Sequence, residues 1–217
     1  MPLAIFDLDN TLIDRAASFR RWATQFVAAH GLEPADIDRL VDADGDGFAP
    51  RSQLLSGIRE RFAVNLPLKA YQAEMVELVE LDPAVAVALD DLRSAGWRVA
   101  IATNGETSQQ SAKIRRSGLD AHVDAVAISE EVGERKPDRR IFEVAAERCG
   151  IRLSEGGWMI GDAPDTDIAG GRNAGLRTVW MRRGRKWDST LPVPDAMADD
   201  ILTAVKALTS SPGRSFL

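Results

Sequence analysis

Cysteine is nearly missing from this chain. One thiol in 217 residues, Cys149, excludes an intramolecular disulfide and a cysteine-rich zinc site. Its place in an amphipathic run ending at Gly150 marks it as a buried helix residue. Histidine is almost as scarce: His30 and His122 are the only two. Neither lies near a second nucleophile or a metal motif, so both read as surface or packing residues. No G-x-S-x-G turn is present, which excludes a serine-hydrolase nucleophile elbow. No segment approaches the ~20 consecutive apolar residues of a membrane span, and no charged leader with an apolar core precedes the first strand. A cytoplasmic protein without a membrane partner is the expectation. Positive charge is not in excess either: 27 Lys and Arg against 33 Asp and Glu give a net charge of −6. The aromatics are scattered with no basic residues interleaved, so nothing points to nucleic acid.

What is present is ordinary in bulk and specific in detail. Apolar residues make up 45% and charged residues 28%, values of a globular protein long enough to bury a core and carry an insertion. From Pro83 onward, helical and strand patterns alternate. Helices are expected over residues 84–95, 108–117, 138–149 and 165–174, several stopped by a glycine, with a final helix over 197–208. Strands are expected over 97–103, 123–128, 158–160 and 177–181. Such alternation indicates parallel βαβ units and a doubly wound, Rossmann-like α/β sheet. Between Asp14 and Asp82 the pattern is all-helical, with helices over 16–30, 34–41, 51–62 and 68–79. The expected organisation is an α/β core of residues 1–14 and 82–217 and an inserted all-helical cap of residues 15–81. The tail, 209–217, reads as disordered.

The first strand, residues 3–6, is an apolar run that ends abruptly in carboxylates. Asp7 and Asp9, two apart, project from one face of an extended chain. Two acids at the edge of an apolar core repel each other and resist desolvation. A metal ion resolves that conflict and leaves one carboxylate as a candidate nucleophile. In an open α/β sheet ligands bind at the C-terminal ends of strands. Here those ends carry Asp7 and Asp9, then Thr103-Asn104-Gly105, then Gly161-Asp162.

The string Asp7-Leu8-Asp9-Asn10-Thr11-Leu12 resembles the first motif of the haloacid dehalogenase-like (HAD) hydrolases, in their phosphatase branch. Thr103 at the end of the second strand, Lys136-Pro137-Asp138 opening a helix, and Gly161-Asp162 with Asp165 and Asp167 follow in that family's order. The resemblance implies a phosphoric monoester hydrolase in which Asp7 attacks phosphorus to form an aspartyl-phosphate. Asp9 would protonate the leaving oxygen and later activate water, so its surroundings are expected to favour the protonated acid. The implied cofactor is Mg²⁺, held by Asp7, the backbone carbonyl of Asp9, and Asp162, with Asp167 as a direct or water-mediated ligand. Asp165 is a weaker ligand candidate, since a carboxylate at a helix N-terminus is also favoured by the dipole. Thr103, the backbone N–H groups of Asn104 and Gly105, and Lys136 would hold the phosphate. An acid at Asp9 argues against carbon–halogen cleavage, because halide needs no protonation.

The implied substrate is a small phosphorylated metabolite. A phosphomutase acting on a phosphosugar and a catalytically silent phosphometabolite-binding protein remain the alternatives. A cap excludes water and contacts the unreactive part of a substrate. Arg20, Arg21 and Arg51 are its candidate anion contacts, with Arg51, on a Gly/Pro-rich loop, the one selected. Asp42-Ala43-Asp44-Gly45-Asp46-Gly47 copies the opening of an EF-hand loop, yet Gln53 stands where the bidentate glutamate belongs and Pro50 interrupts the loop. A flexible turn between cap helices is the better reading. The assembly is expected to be a monomer or homodimer.

Overall fold

A computed structural model of the chain describes residues 1–188 and 190–210. The chain opens with β1 (Leu3–Phe6), all four residues of which are buried. It leaves the sheet for α1 (Arg15–Ala29), α2 (Ala35–Asp44), α3 (Arg51–Phe62) and α4 (Leu68–Glu77). It returns through α5 (Pro83–Ser94), β2 (Arg98–Thr103), α6 (Thr107–Ser117), β3 (Ala125–Ile128), α7 (Ser129–Val132) and α8 (Arg139–Arg148). Then come β4 (Trp158–Gly161), a π-helical turn (Pro164–Ile168), α9 (Ala169–Asn173), β5 (Arg177–Met181), β6 (Ala196–Ala198) and α10 (Ile201–Ser210). Local chemistry sets the helix starts. Asp14, Asp82 and Asp138 each accept a backbone N–H as the N-caps of α1, α5 and α8, and Pro83 takes the first turn of α5.

The six strands form one parallel sheet in the order β3-β2-β1-β4-β5-β6. The chain builds outward from β1 through β2 to β3, then crosses to the other side of β1 for β4, β5 and β6. The direction of winding therefore reverses between β1 and β4, where an open sheet leaves a crevice beyond the strand ends. Phe6 is in register with Ile160, and the Asp7 N–H donates to the Ile160 carbonyl at 2.8 Å. This pairing brings the segments that carry Asp7 and Asp162 side by side.

Two compact units result: Met1–Ile13 together with the chain from Leu81 onward, and Asp14–Glu80. In the α/β unit, Leu3 and Ile5 of β1 pack with Met159 of β4 and Ile141 and Phe142 of α8, all fully buried. Burial of each such side chain stabilises by about 1.5–3 kcal/mol. In the helical unit, α1 presents Phe19, Trp22, Phe26 and Val27 to Leu54, Ile58, Tyr71 and Met75. Trp22 stacks on Phe26 and meets Tyr71 edge-on, both at 5.1 Å between ring centroids. No helix among the described residues is long and apolar enough to cross a membrane.

Three expectations are corrected. The expected helix over 197–208 is an edge strand and a later helix: Ala196–Ala198 pairs with β5, and α10 starts at Ile201 behind Asp200, whose carboxylate accepts from Thr203 N–H at 2.7 Å. A three-residue strand leaves too short an apolar run to show its period. Thr209 and Ser210, placed in the tail by sequence, are helical; residues 211–217 lie outside the described residues. The expected helix over 165–174 begins as a wide π turn, in which Asp167 N–H and Ile168 N–H share the Ala163 carbonyl at 2.9 and 3.3 Å. That turn directs Asp167 back toward the strand end, where it accepts from Ala163 N–H at 3.0 Å.

Candidate active site

The chain beyond β1 folds into a tight loop. Leu12 and Ile13 N–H both reach the Leu8 carbonyl, and Asn10 N–H reaches Ile13. Asn10 carries the positive φ, 61°, that asparagine tolerates better than most residues. The loop leaves Asp7 buried and Asp9 partly exposed.

Asp7, Asp162 and Asp167, all buried, bring carboxylate oxygens within 4.8 Å of one another. Lys136, also buried, places its ammonium 2.5 Å from Asp7 Oδ1 and 2.8 Å from Asp167 Oδ1. Burial raises the Asp7 carboxyl from 3.8 to about 7; Lys136 opposes the rise, while Asp167 and Asp9 add to it. Burial works against the Lys136 ammonium, yet Asp167 and Asp7 outweigh it and hold its pKa above the usual lysine value. Gly161 makes this approach feasible, since a Cβ there would run into the Asp167 carboxylate.

These oxygens fit a hard divalent cation of the Mg²⁺ type. The donor set is buried and all-oxygen, and burial resists the charge on Asp7 even with Lys136 beside it. Asp165, by contrast, is exposed and stands outside the cluster.

Thr103 is buried at the end of β2, and its Oγ1 accepts from Gln110 Nε2 at 2.7 Å. The Asn104 side chain clamps the Lys136 backbone, accepting from its N–H at 2.8 Å and donating to its carbonyl at 3.0 Å. The Gly105 N–H, expected to face a phosphate, donates instead to Ser129 Oγ at 2.9 Å.

Sequence reasoning missed three residues here. Lys113 Nζ lies 2.8 and 2.7 Å from the two oxygens of Asp9, and Gln110 Nε2 lies 3.2 Å from Asp9 Oδ2. The surroundings expected to favour a protonated Asp9 are thus cationic. A signal existed: the buried stripe of α6 is Gln110, Lys113 and Ile114, two polar residues at positions where helical periodicity calls for apolar ones. Arg185, the third, donates to the Asp162 carbonyl at 2.6 Å and reaches Asp162 Oδ2 at 3.2 Å. It comes from the loop after β5 and left no pattern.

In the helical unit, the EF-hand-like string is not a loop. Asp42 and Asp44 belong to α2, and Gly45–Gly47 is a single 3₁₀ turn. Asp44 is buried and takes Arg15 and Arg51, each at 2.6 Å. Arg51, the selected anion contact, is committed to Asp44 and to the Gly47 carbonyl at 2.9 Å. Arg20 pairs with Asp38 and Arg21 with the Leu78 carbonyl. His30 rests on Phe26, His122 meets Asp90, and burial pushes the Cys149 thiol up to about 11.

The chain is similar to known proteins over most of its length. Residues 4–181 match the family described as haloacid dehalogenase-like hydrolase. Pyrimidine 5'-nucleotidase YjjG of Escherichia coli is 36% identical over 189 residues, covering 81% of this chain and 84% of that protein. Phosphoglycolate phosphatase of Agrobacterium fabrum is 30% identical over 224 residues, covering 95% and 92%. The magnesium-bound putative HAD-hydrolase YfnB from Bacillus subtilis superposes with a TM-score of 0.75 at 21% identity, covering 95% and 98%, a likeness of fold. With a matched segment that spans every strand from β1 to β5, the chain belongs to the haloacid dehalogenase-like hydrolases.

Proposed function

We propose that the protein is a Mg²⁺-dependent phosphatase that hydrolyses a small phosphate monoester through an aspartyl-phosphate on Asp7. The observation that carries this reading is the gathering of Asp7, Lys136, Asp162 and Asp167 at the adjacent ends of β1 and β4, with Asp9 two residues from the nucleophile. Named relatives that are phosphatases acting on small molecules support it.

Phosphate monoesters hydrolyse so slowly in water that dividing the displacement into two steps is worth a large factor. A carboxylate oxygen of Asp7 attacks phosphorus, and the ester P–O bond breaks. Asp9 gives a proton to the departing oxygen, the incoming phosphate dianion offsetting the Lys113 ammonium beside it. In the second step Asp9, now a carboxylate, takes a proton from water as the water oxygen attacks the same phosphorus. The bond to Asp7 breaks, inorganic phosphate leaves, and Asp9 holds the proton for the next turnover. Thr103 Oγ1 and the Lys136 ammonium hold phosphoryl oxygens, and Lys136 screens the repulsion between Asp7 and the incoming dianion. Asp7, Asp162, Asp167 and the Asp9 backbone carbonyl would hold Mg²⁺, which would supply positive charge to the Asp7 carboxylate and the phosphoryl group.

The test is a panel of phosphorylated metabolites with Mg²⁺, read as inorganic phosphate. Release from at least one ester, lost by about 10³-fold or more in Asp7→Asn, is expected. A variant that keeps a tenth of the wild-type rate overturns the nucleophile assignment. Interconversion of phosphosugars without phosphate release would favour a mutase.

A further inference from the structure

We propose that Lys113, with Gln110 beside it, positions the Asp9 carboxylate for both of its proton transfers; the proposal rests on the phosphatase reading above. Lys113 is 4% exposed and Gln110 1%, on the face of α6 that also buries Ile114. Residues three apart on a helix share a face, so one element delivers both groups to one target. The Lys113 ammonium reaches both Asp9 oxygens, at 2.8 and 2.7 Å. Gln110 Nε2 reaches Asp9 Oδ2 at 3.2 Å and Thr103 Oγ1 at 2.7 Å, which ties the acid/base to the residue proposed to hold phosphate. Gly105 leaves space for this contact: its φ is +154°, and a Cβ there would come within 2.9 Å of Gln110 Cγ.

Burying a lysine ammonium is unfavourable unless it is paired. Packing alone would be served better by a leucine or methionine at position 113. The pair instead gives Asp9 what a proton-transferring carboxylate on a loop lacks, a fixed orientation. Donors on both oxygens restrain χ1 and χ2 together, and a misplacement of 1 Å in a reacting group is worth about 10² in rate. Lys113 reaches both carboxylate oxygens of Asp9. It is a positioning residue that acts through Asp9.

The distinguishing experiment varies the leaving group. An alkyl phosphate needs its departing oxygen protonated, whereas 2,4-dinitrophenyl phosphate does not. Lys113→Met should lower kcat on the alkyl ester by about 10²-fold and leave the affinity for inorganic phosphate within about twofold. On the dinitrophenyl ester the first step should proceed and the second slow, giving a burst near one dinitrophenolate per enzyme before a slow steady state. Lys113→Arg should restore most of the alkyl-ester rate, and Gln110→Ala should show the same leaving-group bias at about 10-fold. Equal loss on both esters with no burst would overturn the proposal, as would unchanged rates. If Lys113→Met does not fold by circular dichroism, Gln110→Ala and Lys113→Arg decide by the same readouts. A wild-type enzyme that releases phosphate from no ester refutes the phosphatase reading itself. A wild type that turns over both esters, with variants showing no bias, refutes only the role of Lys113.

Discussion

Replacing Asp7 by asparagine should make the metal-free protein more stable while removing its proposed nucleophile. The magnitude follows from the site. Burial and the neighbouring Asp167 and Asp9 carboxylates hold the Asp7 carboxyl at about 7 in the folded chain, against 3.8 in a free side chain. Between pH 4 and 7 the folded state therefore binds more protons than the unfolded state, and stability falls as pH rises through that window. Below about pH 4 the acid is protonated in both states and imposes no penalty. Above about pH 7 it is ionised in both, and the penalty is complete. At roughly 1.4 kcal/mol per pH unit, ionised Asp7 costs the fold about 4 kcal/mol at pH 8. Asparagine keeps the shape and still accepts from Lys136, which retains Asp167 as its ion-pair partner at 2.8 Å. With EDTA present, Asp7→Asn should unfold at a higher temperature than wild type at pH 8, by about 2–4 °C per kcal/mol in a chain of this size. The gain should shrink steadily as the pH is lowered and vanish near pH 4. Added Mg²⁺ should raise the wild-type midpoint, as any ligand of the folded state does, and raise the variant far less. Equal midpoints at pH 8, or a variant less stable than wild type, would refute the argument.

Two further outcomes are expected. Chelation should silence phosphate release, and Mg²⁺ should restore it better than Ca²⁺, because Ca²⁺ takes six to eight oxygens and this cluster offers few; equal rescue by the two ions, read as phosphate release, would argue against the ligand set. In the helical unit, Asp44→Ala removes a buried carboxylate that takes two arginines; it should destabilise by about 3–5 kcal/mol, and a change below about 1 kcal/mol in urea unfolding would show the pairing to be incidental.

The parts of the molecule that sequence revealed are those where one residue type breaks a strong pattern. Asp7 and Asp9 stood out because carboxylates ended an apolar run, and the sheet brings Asp7 to Asp162 and Asp167. The strands β1, β2 and β5 were legible from continuous apolar stretches and glycine stops. β6 was not, because three residues at a sheet edge carry too little period. The π turn at Pro164–Ile168 was invisible for a different reason: its residues suit an ordinary helix, and only the shared Ala163 carbonyl distinguishes the two. Arg15 and Asp44 meet at 2.6 Å across 29 residues of sequence. Asp44 was read instead within a local repeat of acids that mimics a calcium loop. Pairings of that range follow from tertiary packing, which local spacing does not encode.

The same distinction explains why Lys113 escaped and why it matters. Carboxylates that bind metal sit at strand ends, which sequence locates well. The groups that orient a proton-transferring carboxylate must approach from elsewhere, because β1 and its loop already supply the acid. Here they come from the first helix after β2, whose buried face carries glutamine and lysine where apolar side chains would stabilise more. Asp7 shows the same departure from a stability optimum, a carboxyl group placed where burial penalises its charge. Lys113 shows it too, an ammonium where packing favours a hydrocarbon. Each departure is matched to a charge across the site, Asp7 to Lys136 and Lys113 to Asp9. At one strand end, ion pairs on Asp7 and Asp9, the first buried and the second partly exposed, thus meet the two carboxylates proposed as nucleophile and acid/base.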